Sequence, residues 1–236
     1  MPRLLRLFLW CCIVLGLNSW AWAGRVFEDS MAQRTLACTA CHGDQGRAGP
    51  DGYYPRLAGK PAGYLLHQLQ NFRDGRRHYA LMQGLLGNLD EPYLRAIANH
   101  FAAQNVAYPP PVKGNATAAE LERGRKLVQE GDAAQGLPAC TQCHGTLLTG
   151  VNPDIPGLLG LPSDYLNAQL GGWQTGQRRA HAPDCMAQIA KRLSATDTNA
   201  IARWLSAQPV PANGHPADQK PAPTALSAEL RCGSAP

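Results

Sequence analysis

Apolar residues recur at helical spacing in blocks that come in pairs. Leu65, Leu69 and Phe72 stand at i, i+4 and i+7, and Leu166, Leu170 and Trp173 repeat the pattern a hundred residues on. Each block opens at a proline, Pro61 or Pro162, and stops at a glycine, Gly75 or Gly176, the residues that start and end helices most cleanly. A later pair runs about Asp90 to Ala103 and Ala195 to Ala207. There the apolar stripe is Leu94, Ile97 and Phe101 in one member, and Ile201, Trp204 and Leu205 in the other. An earlier pair runs about Val26 to Leu36 and Ala118 to Glu130. No segment alternates with period two, so the pattern predicts an all-α protein made of two small domains with three helices each.

The pairing extends to single residues. Cys38-Thr39-Ala40-Cys41-His42-Gly43 returns as Cys140-Thr141-Gln142-Cys143-His144-Gly145. Pro55, Gly59, Tyr64-Leu65, Gln68-Leu69 and Gly75-x-Arg77 return as Pro156, Gly160, Tyr165-Leu166, Gln169-Leu170 and Gly176-x-Arg178. At the same alignment Met82 falls on Met186, a match that played no part in choosing it. A preserved order with small drift is what two diverged copies of one domain leave behind. The copies are predicted over 24–106 and 116–208, joined by a proline-rich linker at 107–115 around Tyr108-Pro109-Pro110-Pro111. Beyond Gln208 the chain turns to Pro, Ala and polar residues, and 209–236 is predicted to be a mostly disordered tail.

The N-terminus follows a different rule. Arg3 and Arg6 precede an apolar run from Leu7 to Leu17, and Ala21-Trp22-Ala23 gives a small-x-small site, so residues 1–23 read as a cleavable signal peptide. The alternative is an uncleaved membrane anchor, which the shortness of the run and Asn18-Ser19 disfavour. The expected compartment is the periplasm, where disulfides are permitted.

Composition then narrows the partners. Lys and Arg outnumber Asp and Glu by 22 to 17 in 236 residues, too slight an excess for a nucleic-acid surface, and 44% hydrophobic residues suits an ordinary globular chain. Of eight cysteines, Cys11 and Cys12 lie in the signal and four lie in the repeated motif, which leaves Cys185 and Cys232.

C-x-x-C-H places two thiols where they can add across the vinyl groups of a haem, and an imidazole where it can bind the iron. A zinc site would gather two C-x-x-C pairs around one metal, whereas here each pair heads its own copy with its own histidine. A thioredoxin-like pair would need a βαβ context. The reading is therefore two covalently bound haem c groups, on Cys38, Cys41 and His42, and on Cys140, Cys143 and His144. At about 90 residues per copy a hydrophobic core alone is marginal, so the haem would also act as core and the apoprotein would be loose. Met82 and Met186, 40 and 42 residues after the two histidines, are the candidate second axial ligands, with core filling as the bland alternative.

Up to about residue 208 the chain resembles the diheme cytochromes c4. The resemblance rests on the two motifs, on Tyr54-Pro55-Arg56-Leu57-Ala58-Gly59-Lys60, on Gly136-Leu137-Pro138-Ala139-Cys140, and on Tyr-Leu-x-x-Gln-Leu-x-x-aromatic-x-x-Gly-x-Arg in both halves. It implies two tandem class I cytochrome c domains related by a pseudo-twofold axis, and an electron carrier rather than an enzyme. Redox proteins are the implied partners: an upstream cytochrome or dehydrogenase, and a terminal oxidase such as a haem-copper cytochrome c oxidase. Membranes would be met only through them. It also implies that the carbonyls of Pro55 and Pro156 accept hydrogen bonds from His42 and His144, and that Arg77 and Arg178 contact haem propionates, the alternative for the arginines being solvated surface positions. The chain departs from the pattern at Cys185, next to Met186. A thiolate ligand to haem two would make this a diheme enzyme or dehydrogenase subunit acting on sulfur compounds. A buried free thiol and a disulfide to Cys232 are the other readings. His67, His78, His100 and His215 have no counterpart in the other copy and are expected at surface or packing positions. Loss of Arg3 and Arg6 lowers the net charge from +5 to +3. About four propionates against two ferric centres would bring the loaded protein near neutrality.

Overall fold

The computed structural model describes residues 28–49, 52–111 and 114–235. In chain order its elements are α1 (Met31–Arg34), α2 (Leu36–His42), α3 (Ala62–Arg73), α4 (Ala80–Leu86), α5 (Glu91–Ala102), α6 (Ala118–Gln129), α7 (Thr141–His144), the two-residue strands β1 (Gly150–Val151) and β2 (Ile155–Pro156), α8 (Ser163–Thr175), α9 (Cys185–Arg192), α10 (Ala195–Ala207) and α11 (Ala225–Ala228). The chain divides into two compact units between Arg34 and Thr35, with α1 in the first and every other element in the second. The predicted signal peptide, with Cys11 and Cys12, lies outside the described residues, as does the start of the helix expected from Val26. Among the described residues no helix is long and apolar enough to cross a membrane.

The long helices begin and end for local reasons. Pro61 and Pro162 stand at the N-caps of α3 and α8, one position before the first turn, with φ of −52° and −62° that lead directly into helical backbone. Gly176 ends α8 in the left-handed region at φ 77°. Asp90 and Ser194 cap α5 and α10 through bonds from the amides of Tyr93 and Asp197, and Thr117 with Glu120 forms a reciprocal capping box on α6. Each such cap is worth about 1 kcal/mol.

Packing follows the predicted stripes. In the first copy α3 lies on α5, and Leu65, Leu66, Leu94, Ile97 and Phe101 are buried between them. In the second copy Leu127 and Val128 of α6 meet Ile201, Trp204 and Leu205 of α10, with Leu159, Leu161 and Leu166 completing the core. Each of these large side chains contributes about 1.5–3 kcal/mol by leaving water. The approach of α6 to α10 depends on Gly124, where a Cβ would stand 2.2 Å from the carbonyl oxygen of Ala200 and 2.7 Å from Cβ of Trp204. Across the same contact Arg123 Nε donates to Asp197 at 2.7 Å.

The copies meet through equivalent residues. Arg77 and Arg178 form an antiparallel bridge, flanked by His78 N–H to Gln177 O at 3.0 Å and Arg179 N–H to Arg76 O at 2.8 Å. A residue that pairs with its own repeat sits on a local twofold axis, the geometry of an isologous interface.

Three features differ from the sequence expectation. The connection between the second and third helices holds a short helix in each copy, α4 and α9. A minimal ladder pairs Gly150 with Pro156 and Val151 with Ile155. The tail expected to be disordered is instead tied down over its described part: Ala217 pairs with Val151, Asn152 Nδ2 donates to Asp218 at 3.1 Å, Gly233 N–H donates to Pro183 O at 2.9 Å, and Cys232 is bonded to Cys185. Backbone pairing and one covalent link hold a segment whose side chains bury little, and neither leaves a trace in hydrophobic periodicity.

Replacing Gly124 by Ala should force α6 and α10 apart, because the atoms it meets are backbone and a Cβ rather than a flexible side-chain end. A loss of about 1–3 kcal/mol is expected, read as a lowered thermal midpoint by circular dichroism. An unchanged midpoint would mean the helices do not approach this closely.

Candidate functional site

Both C-x-x-C-H segments fold as a short helix that ends on the histidine. Cys38, Cys41 and His42 lie on α2, and Cys140 caps α7, which carries Cys143 and His144. The next residue is Gly43 at φ 74° or Gly145 at φ 84°, and a Cβ on Gly43 would stand 2.3 Å from the carbonyl oxygen of Ala48. Only glycine permits the chain to leave the helix so abruptly.

The two imidazoles are buried, each 7% exposed, and held alike. His42 Nδ1 lies 2.8 Å from the carbonyl oxygen of Pro55, and His144 Nδ1 lies 2.7 Å from that of Pro156. A carbonyl can only accept, so Nδ1 carries the hydrogen and Nε2 presents its lone pair, without a hydrogen-bond partner among the described residues. Burial pushes both rings below the ordinary histidine pKa. The Pro55 and Pro156 carbonyls oppose that, and the charges of Arg77 and Lys60 respectively add to it. The histidines are therefore neutral at pH 7, the state that binds metal.

The four motif thiols are free, neither bonded within a pair nor across the copies. Burial raises Cys38 and Cys143 and pushes Cys140 up to about 12. Neutral thiols beside an imidazole with a free Nε2, in apolar surroundings, fit a haem joined by thioethers. Among the described residues no three His, Cys, Asp or Glu gather around a common point.

The methionines occupy matching places. Met82 lies in the first turn of α4 and Met186 in the first turn of α9, both partly buried. Cys185, beside Met186, is in a disulfide with Cys232, 47 residues on. The thiolate-ligand reading is thereby corrected: a sulfur already bonded to carbon and to sulfur has no anionic lone pair to offer as a thiolate.

Arg77 and Arg178 are at the seam between the copies, not on a solvated surface. Arg77 donates to Gln68 Oε1 at 3.1 Å and to Gln169 Oε1 at 2.6 Å. Arg178 donates to Gln169 at 2.7 Å and to Gln68 at 3.1 Å. Each guanidinium stacks on its own copy's aromatic residue, 4.4 Å from the centre of Phe72 and 3.8 Å from that of Trp173. Sequence reasoning misses the glutamines' role, although Gln68 and Gln169 recur at one position of an otherwise apolar helical face.

It also misses two buried cations of the first copy. Arg56 donates to the carbonyls of Ala58, Val106 and Ala107 and stacks 3.9 Å from the ring centre of Tyr108, which ties residues 106–108 to the turn after Pro55. Lys60 is 5% exposed and donates from Nζ to Gly157 O at 3.2 Å, in the other copy.

What the two copies share is what a covalently held haem requires, and the class so defined is a c-type cytochrome with two class I domains and two covalently bound haem c groups. No protein-family model matches the chain. The chain is 36% identical over 198 residues to the thiosulfate dehydrogenase electron acceptor of Thiomonas intermedia (strain K12), covering 84% of this chain and 90% of that protein. It is 34% identical over 195 residues to cytochrome c4 of Pseudomonas aeruginosa, covering 82% and 94%. Among solved structures, thiosulfate dehydrogenase (TsdBA) from Marichromatium purpuratum superposes with a TM-score of 0.66 at 31% identity. That match covers 75% of this chain and 37% of the larger one. The chain belongs to the diheme cytochrome c4 family and is an electron carrier that works with redox partners.

The seam predicts energetic coupling between the copies. Gln68→Leu and Gln169→Leu each strand donors of both arginines, so a double-mutant cycle on the loaded protein should give a coupling of about 0.5–3 kcal/mol in urea unfolding. Simple additivity would mean the two glutamines do not share their arginines.

Proposed function

We propose that this protein is an exported, periplasmic two-haem carrier that accepts single electrons from a thiosulfate-oxidising dehydrogenase and delivers them to a terminal oxidase. The observation that carries the electron-transfer part is the equivalence of Met82 and Met186, each in the first turn of a short helix in its copy. Met82 and Met186 would hold the two haem irons from the side opposite the histidines, and thioether sulfur there would favour the ferrous state and electron transfer over substrate binding. The donor assignment is supported by relatives that are themselves thiosulfate dehydrogenase electron acceptors.

In this reading Cys38 and Cys41 attach haem one and Cys140 and Cys143 attach haem two. His42 with Met82 would hold the iron of haem one, and His144 with Met186 that of haem two. The haem supplies one-electron chemistry; the chain supplies orientation, potential and access. Pro55 and Pro156 fix the rotation of each imidazole and strengthen it as a donor. Arg77 and Arg178 serve the propionates, in keeping with their placement at the seam and with the field of Arg77 reaching His42. Residues 24–106 and 116–208 are the two haem modules, with 107–115 as the join. A near-neutral surface suits brief encounters rather than a permanent complex. A second reading, a carrier held as a subunit on its dehydrogenase, is favoured by the match to part of the longer TsdBA chain. Co-purification with a dehydrogenase through a salt wash would select it.

Met82→Ala and Met186→Ala test the axial assignment. Each should lose about half of the far-red ferric absorption that methionine ligation produces, and each should gain ready binding of carbon monoxide at one haem. A variant that keeps its full absorption removes that methionine from the assignment. The double variant Cys185→Ser with Cys232→Ser should leave the haem spectrum unchanged while costing about 2–4 kcal/mol of stability, through loss of the cross-link. A changed ligand field would restore a role for the thiol.

A further inference from the structure

Lys60 is the feature that haem attachment leaves unexplained. An ammonium group at 5% exposure is costly, and no carboxylate among the described residues pairs with it. Its Nζ reaches 97 residues along the chain to Gly157 O at 3.2 Å. Gly157 follows Pro156, and the Pro156 carbonyl is the group that holds His144 Nδ1 at 2.7 Å. The position is also asymmetric. At the alignment that pairs Pro55 with Pro156 and Gly59 with Gly160, Lys60 falls on Leu161, a buried core residue that cannot return a charge to His42.

We propose that Lys60 is a potential-setting residue: a fixed positive charge, contributed by the first copy, that raises the reduction potential of the haem bound to His144 relative to the haem bound to His42. The inference rests on the assignment of His144 as an axial ligand. Two effects act with the same sign. A cation near the iron disfavours the ferric state, which carries one more positive charge than the ferrous state. A cation on the carbonyl next to Pro156 also draws electron density from the backbone that accepts the imidazole N–H, so His144 becomes a weaker donor to the iron. No bond forms or breaks and no proton moves. Burial, with some repulsion from Arg56, lowers the amine to about 8, which still leaves it mostly protonated at pH 7. The consequence is directional: an electron entering at the first copy finds its lower-energy site in the second.

The test is a redox titration of the loaded protein as wild type, Lys60→Gln and Lys60→Arg, with each haem followed separately through its paramagnetic NMR signals. Haem two is identified as the one whose methionine signal disappears in Met186→Ala. Glutamine keeps a donor for the Gly157 carbonyl and removes the charge; arginine keeps both. The expected result for Lys60→Gln is a fall in the one-electron equilibrium constant of haem two of roughly tenfold, which is about 59 mV, with a smaller change at haem one. Lys60→Arg should titrate like wild type. An unshifted haem two in Lys60→Gln, an equal shift of both haems, or an arginine variant that behaves like the glutamine one would overturn the proposal. Failure of the ligand assignment itself reads out separately, as haem absent from Cys140 and Cys143 by mass spectrometry or a Met186→Ala spectrum identical to wild type.

Discussion

The hydrogen bond from a histidine Nδ1 to a proline carbonyl is the constraint around which each half of this protein is arranged. It fixes one tautomer, sets the rotation of a buried ring and leaves Nε2 as the only nitrogen that can face a metal. To make it, the chain must leave the C-x-x-C-H helix at a glycine with positive φ and return, thirteen or twelve residues after the histidine, with a carbonyl aimed inward. In the first half the buried guanidinium of Arg56 secures the turn after Pro55. In the second half the β1–β2 ladder secures Pro156 itself. The same geometry is reached by two local solutions, which shows that the carbonyl's position, not the loop's path, is what is held fixed.

The second constraint is placing two arginines against each other. Pairing residue 77 with residue 178 through backbone hydrogen bonds forces two guanidinium groups into one partly dry region, where like charges repel. Among the described residues no carboxylate offsets this: each glutamine oxygen accepts from both cations, and each cation lies over an aromatic ring. Such an arrangement joins the two copies by specific hydrogen bonds, in addition to the proline-rich segment that links them in the chain.

Much of this fold is legible in the amino-acid sequence. The helices α3, α5, α6, α8 and α10 follow from apolar stripes, prolines and caps that act within a few residues of each other, and Leu94, Ile97, Phe101, Ile201, Trp204 and Leu205 are buried as their spacing requires. The haem chemistry is legible because C-x-x-C-H is a local geometric motif whose parts are adjacent in the chain. The short helices bearing Met82 and Met186 are not, since seven or eight residues without strong periodicity look like a connection. Composition misjudges the tail because it reports how much a segment can bury, not whether a disulfide and a few backbone bonds tie it to a neighbour.

The sequence alone determined the all-α class, the duplication, the two haem c groups and the membership of an electron-carrying family, because each depends on residues close together in the chain or on the repeat of such residues. Only the tertiary structure decided which pairs meet across about a hundred positions or across the length of the tail. Cys185 bonds to Cys232 and is not left as a thiolate, Gln68 and Gln169 join the two arginines, and Lys60 of one half donates to the Gly157 carbonyl of the other. Those pairings depend on how two packed modules and the tail turn toward each other, a quantity that no local spacing encodes.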